Sequence, residues 1–196
     1  PISAGYRREV VQEGGYLSFR DEWGVGRRMP VDGGLYYDSF GEPLGGEVDA
    51  AEIDAFPWPD ATDPGRYAGM VEAARQIAEV EGRAVFVGSI CGGLSEGLFK
   101  MRGFEDGYMD LAAEPERARQ VMERILEIKL AYWDRVLGEL GDLVDVVGEA
   151  DDLGGQDGGR GQGGAVVEGV VAQPRDVQVG LVPGDDLVEA EPPETL

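Results

Sequence analysis

The side chains of this chain best suited to chemistry are carboxylates, and they crowd most at Glu149, Asp151 and Asp152, three acids within four positions. They follow Leu143–Val147, an apolar β-branched run holding a single Asp, which predicts a buried strand. Gly154-Gly155 closes the group. In parallel α/β folds, substrate-handling groups sit at the carboxyl ends of strands, where this trio falls. A solvated acidic loop would have the same composition, and the residues alone leave both readings open.

The chain contains no histidine. That removes Ser-His-Asp and Cys-His catalysis, His-based zinc sites and the commonest general base. Acid–base work falls to carboxylates, Tyr, Lys or the single cysteine, Cys91. Cys91 opens the run Cys91-Gly-Gly-Leu-Ser-Glu96, a Gly-rich turn between a predicted strand and a predicted helix. Such a turn can cradle an anion on its amides, but it matches neither a Walker loop nor a full GxGxxG. Cys91 itself is either a reactive thiol at a strand end or a small buried side chain. Arg27 and Arg28, in the Gly- and Arg-rich stretch 24–33, are either carboxylate binders through their guanidinium forks or an exposed basic tip.

The elements that must position these groups read as an α/β chain. Tyr16 to Trp23 and Gly34 to Phe40 predict two strands, joined by the 24–33 turn as a hairpin. Asp49-Ala-Ala-Glu52 has capping-box spacing and predicts a short helix ending before Pro57. Asp63-Pro64 predicts the start of a second helix reaching about Glu81, and Ala84 to Ile90 a buried strand. Ser95 to Leu111 predicts one helix with Gly103 and Gly107 in its middle. Glu114-Pro-Glu116 opens a long helix whose stripe of Val121, Ile125, Tyr132, Trp133, Val136 and Leu140 is read as core. Gly138 and Gly141 end it.

From Gly155 to Leu196 the chain has no aromatic residue, no Ile, no Met and no Lys. This predicts a weakly ordered tail with at most a loose hairpin of Val166–Val171 and Val177–Val182. A shifted reading frame in a GC-rich gene would produce the same abrupt change. The domain expectation is therefore 1–154 as the folded unit and 155–196 as tail. The first residues, Pro1-Ile2, read as the start of a piece of something longer or of a processed product.

With 196 residues, 42% of them hydrophobic, the chain can build a core of ordinary domain size. A net charge of −22 argues against nucleic acid and anionic membrane surfaces as partners. No apolar run approaches the roughly 18 residues that suggest a membrane span. A single cysteine excludes an internal disulfide, so a reducing, cytoplasmic setting is the expectation.

Several of these stretches, taken in order, carry a resemblance. Trp23-Gly-Val, Phe56-Pro-Trp-Pro-Asp60, Arg102-Gly-Phe-Glu-Asp106, Ala131-Tyr-Trp-Asp134 and the Asp142–Gly154 run resemble the uroporphyrinogen decarboxylase family over roughly residues 16–157. The likeness leans to its decarboxylase-like branch, which includes methyltransferases working between corrinoid-bound methyl groups and thiols. It implies a (β/α)8 TIM-type barrel, here only in part, since a whole barrel takes about 250 residues. The resemblance implies decarboxylation of porphyrinogen acetate side chains in tetrapyrrole biosynthesis, with a small-molecule substrate and no cofactor. A carboxylate, Asp151 or Asp152, would stabilise the protonated pyrrole, and Arg27 or Arg28 would grip substrate carboxylates. The acidic tip would repel such a polycarboxylate unless arginines neutralise it. The position usually held by a substrate-facing Tyr falls on Phe99. Cys91, Phe99 and Glu149 are carried over as cleft wall.

The amino-terminal Arg-rich substrate motif and the Phe-Ser-Asp run of the decarboxylases are not found. In the methyltransferase alternative, zinc and a corrinoid would be needed, and the His and Cys ligands of that branch are absent from this chain. A third expectation is an inactive fragment whose open strand edges favour a homodimer or aggregate.

Overall fold

The computed structural model describes residues 6–151 and the backbone of 179–181. Among these residues the protein is mixed α/β, with five α-helices and two small sheets, one antiparallel and one parallel. No complete barrel is evident: the parallel strands number three among the described residues. No described helix is long and apolar enough to cross a membrane.

The antiparallel sheet has the order β1-β2-β3-β4, with β1 Val11–Glu13, β2 Tyr16–Arg20, β3 Gly26–Pro30 and β4 Asp38–Phe40. Gly14 and Gly15, at φ +57° and +81°, supply the tight turn between the first two strands. Half of the stretch expected to be the turn of a hairpin, 24–33, is itself strand. The chain reverses earlier, because Asp21 Oδ1 accepts the amides of Trp23 and Val25 at 3.0 Å each. Gly26 then lies so close to the Phe40 carbonyl that a side chain there would overlap it. Gly26 serves strand pairing, and Arg27 and Arg28 are strand residues opposite Ser39 and Asp38, not a basic tip.

The parallel sheet has the order β6-β5-β7, with β5 Ala84–Gly88, β6 Val146–Gly148 and β7 Val179–Leu181. The strand expected over Leu143–Val147 begins later, because Gly141–Leu143 makes one 3₁₀ turn. Asp145 explains the shift. Its Oδ2 accepts the Val85 amide at 2.9 Å while its own amide donates to the Val85 carbonyl at 3.1 Å. The lone acid in the apolar run thus takes the place of a ladder carbonyl.

Helix α1, Ala50–Ala55, carries the expected capping box, with Asp49 accepting the Glu52 amide at 2.8 Å and Glu52 accepting the Asp49 amide at 2.9 Å. The single helix expected from 64 to 81 is broken. A 3₁₀ turn at Pro64–Arg66 is followed by Gly69 at φ +77°, then α2, Met70–Arg75, and a π turn over Gln76–Val80. The expected helix from Ser95 to Leu111 is likewise two, α3 Leu94–Arg102 and α4 Phe104–Ala113, separated by Gly103 at φ +84°. Left-handed backbone ends a helix, which the glycine makes possible at little cost.

Helix α5, Pro115–Leu140, ties the molecule together. Its amino half buries Val121 and Ile125 with Ile53, Leu98 and Met101, and its carboxyl half buries Tyr132, Val136 and Leu140 with Ala74, Val85 and Val87. Burying each large apolar side chain stabilises the fold by about 1.5–3 kcal/mol. The stripe read from the sequence is therefore the seam joining two core clusters. Asp152, Gly154 and the tail 155–196, apart from 179–181, lie outside the described residues, as does Val166–Val171 of the expected hairpin. Val179–Leu181 pairs in parallel with β5.

Candidate functional site

Gly88 and Gly148 are register partners at the carboxyl ends of β5 and β6, so the two chains leave the sheet side by side. One exit becomes the Ser89–Gly93 turn, the other Glu149 and Asp151. Lys129 of α5 joins them. Its Nζ donates to Ser89 Oγ at 2.9 Å, to the Gly92 carbonyl at 2.9 Å and to Glu149 Oε2 at 2.5 Å. An ammonium has three protons, and here all three have acceptors. Lys129 is only 7% exposed, a burial that is tolerable because the charge is both paired and hydrogen-bonded.

Glu149 is held by a second donor. Trp133, one helical turn beyond Lys129, donates its Nε1 proton to Glu149 Oε1. Nearby, the Tyr132 hydroxyl donates to the Gly88 carbonyl at 2.9 Å, fixing the strand end against the helix. Burial pushes the Tyr132 hydroxyl pKa up, so it stays protonated and keeps donating.

Asp151 turns to the amino end of α3. It accepts the Ser95 amide at 3.1 Å and the Glu96 amide at 3.0 Å, and α3 has no side-chain cap of its own at Gly93. The Gly-rich turn thus leads to amides that hold an anion, and that anion is a carboxylate of the chain itself. Gly93 is needed for close approach, since a Cβ there would overlap the Asp151 Cβ and carboxyl, whereas a Cβ on Gly92 would meet only the movable end of the Glu96 side chain. Glu96 is in turn paired with Lys100 at 2.5 Å.

Cys91 packs against both core clusters, and burial pushes its thiol up to about 11, with the Lys129 ammonium acting the other way. Cys91 is half-buried, a partly covered side chain packed on the core, and burial favours its protonated thiol. Phe99 sits on α3 and packs on α4, with ring centroids 5.1 Å from Phe104 and 4.7 Å from Tyr108. Arg27 donates its Nε proton to Asp21 Oδ2 at 2.9 Å and an Nη1 proton to Ser39 Oγ at 2.7 Å. Arg28 lies over the rings of Tyr16 and Phe40, 5.4 Å from each centroid. The strand ends therefore bring together Cys91, Glu149 and Asp151. The contacts of Arg27 and Arg28 lie within the antiparallel sheet, and Asp152 lies outside the described residues.

Lys129 and Trp133 are the site residues that the sequence reading passed over. By spacing, Trp133 belongs to the apolar stripe of α5. Lys129 carried a usable signal, since it interrupts the buried face between Ile125 and Tyr132, where a charge needs a partner.

A separate groove of about 480 Å³ opens where α1 and α5 begin, lined in part by Glu47, Asp49, Glu52, Glu116, Arg117 and Gln120. Its groups are committed locally: Asp49 and Glu52 cap α1, and Arg117 pairs with Asp110 at 2.9 Å. Among the described residues no three His, Cys, Asp or Glu side chains converge as a metal site would need. Comparison of the chain with protein-family models, with curated proteins and with solved structures found no match to any of the three.

Proposed function

We propose that this chain is part of a uroporphyrinogen decarboxylase-type barrel, acting on the acetate side chains of a porphyrinogen. The observation that supports this reading is the parallel pairing of β5 with β6, whose carboxyl ends deliver the Ser89–Gly93 turn and Glu149 to one place. That is the end of a barrel at which substrates are handled.

The charge of this cleft wall also suits a polycarboxylate better than the bare sequence does. Glu149 is neutralised by Lys129, Asp151 by the amino end of α3, and Glu96 by Lys100. The neutralising partners are two lysines and a helix terminus, where the sequence reading looked to arginines. Asp151 has both oxygens engaged by amides, so its part is to position the α3 turn. The acid stabilising the protonated pyrrole would then be Asp152 or a group elsewhere in the barrel.

The test is anaerobic incubation of the purified chain with uroporphyrinogen, following carbon dioxide release, together with equilibrium binding of uroporphyrin I. Saturable porphyrin binding is expected, with turnover if the catalytic acid is present. A folded chain that neither binds nor turns over the porphyrin would end this reading. Consumption of methylcobalamin in the presence of a thiol would instead support the methyl-transfer alternative.

A further inference from the structure

Glu149 occupies a site built from two donors on one helix. Lys129 Nζ meets one carboxylate oxygen and Trp133 Nε1 the other. Lys129 is anchored independently of Glu149, through Ser89 Oγ and the Gly92 carbonyl, so its ammonium would keep its place if Glu149 left. The partners differ in freedom. The Lys129 side chain is 9% exposed and the Glu149 side chain 39%, and Glu149 stands on the first residue beyond β6.

We propose that Lys129 and Trp133 form a carboxylate-binding subsite, and that Glu149 is its internal placeholder, displaced by a carboxylate of the incoming ligand. Exchange of one carboxylate for another leaves the charge of the buried hub unchanged. A neutral ligand displacing Glu149 would instead strand a buried ammonium, which the fold penalises heavily. The site therefore selects for acids, and its two donors match the two oxygens of a carboxylate. For the acetate and propionate arms of a porphyrinogen, this assignment rests on the function proposed above. The cradle itself asks only for a carboxylate.

The experiment measures uroporphyrin I affinity of the full chain at fixed ionic strength, alongside the effect of acetate on its melting temperature. Glu149→Gln leaves a neutral, weaker competitor on Lys129 and is expected to tighten uroporphyrin I binding about tenfold. Trp133→Phe and Lys129→Met are each expected to weaken it about tenfold, and Lys129→Met abolishes the gain from Glu149→Gln. Far-UV circular dichroism checks folding, and Trp133→Phe keeps the question decidable if Lys129→Met unfolds. In Glu149→Ala, acetate should raise the melting temperature where chloride does not.

Wild-type binding of uroporphyrin I that Glu149→Gln fails to tighten would overturn the placeholder and leave the proposed function standing. Acetate stabilisation of Glu149→Ala without uroporphyrin I binding by any variant would support the subsite and remove the porphyrinogen reading. No response in either arm overturns the subsite.

Discussion

Asp151 lies over Gly93 so closely that a Cβ on Gly93 would overlap its carboxyl group. That contact lets an acid beyond β6 cap a helix that begins beyond β5, accepting the amides of Ser95 and Glu96. It fastens the two strand ends together in addition to Lys129's chain of bonds. Gly93→Ala should therefore cost more than the removal of Asp151. Asp151→Ala loses a cap, about 1 kcal/mol. Gly93→Ala loses the cap and adds overlap, about 2–4 kcal/mol in all. Urea unfolding of the two variants checks the order, and equal costs would mean that Asp151 does not lie over Gly93.

Arg102 is a heavily committed cation. Its Nε donates to Asp110 Oδ2 at 2.6 Å and its Nη2 to Oδ1 at 3.3 Å, while Nη1 donates to the carbonyls of Leu44 and Gly46. Both charged side chains are 2% exposed. Arg102→Lys cannot span Asp110 and two carbonyls at once, and Arg102→Met leaves Asp110 buried with only Arg117. Losses of about 3 kcal/mol or more are expected for each. Arg117, whose side chain is 25% exposed, reaches the same acid from the surface, and Arg117→Ala should cost under about 1 kcal/mol. Thermal melts of the three variants test the ranking, and comparable losses at Arg102 and Arg117 would contradict it.

Gly148 ends β6 against the ring of Phe86, where a Cβ would overlap the aromatic edge. Gly148→Ala should destabilise by about 1–3 kcal/mol through overpacking. In a Phe86→Leu background the added methyl has room, so the cost should fall by at least half. A double-mutant cycle read by urea unfolding isolates this coupling. Additive costs would show that the glycine answers to something other than Phe86.

The pattern of success in reading these elements from sequence follows the range of the forces involved. The capping box at Asp49 and Glu52 and the α5 stripe were legible because each is decided within one or two helical turns. The Gly24–Gly33 stretch reads differently in the fold because Gly24 and Gly26 answer to Phe56 and Phe40, partners reached only after the sheet folds. Gly69 and Gly103 were similar: a mid-helix glycine is tolerated or terminating depending on neighbours the local pattern does not contain. At the strand ends, the acids were visible but their partners were not. Nothing near Asp151 in sequence announces the amides of Ser95 and Glu96, and Glu149 finds Lys129 and Trp133 only through the packing of α5 on the sheet.

Cys91 offers a pH-dependent check on how closed this strand-end region is. Burial lifts its thiol from an ordinary value of 9.0 to about 11. The folded state thus holds the proton more tightly than the unfolded state does. The associated stability is fully present below pH 9 and is lost as pH rises through about 11, a total of roughly 3 kcal/mol. Cys91→Ala lacks this contribution, so the stability gap between wild type and variant should change across that window. Other groups that ionise in this window are common to both proteins and largely cancel in the difference. A second readout is kinetic. At pH 8 the thiolate fraction, and with it the rate of modification by a disulfide reagent, should be about 100-fold lower in the folded chain than in urea. Equal rates in the two states would mean that the turn after β5 is open to solvent, and the buried Lys129 hub that depends on it would have to be redrawn.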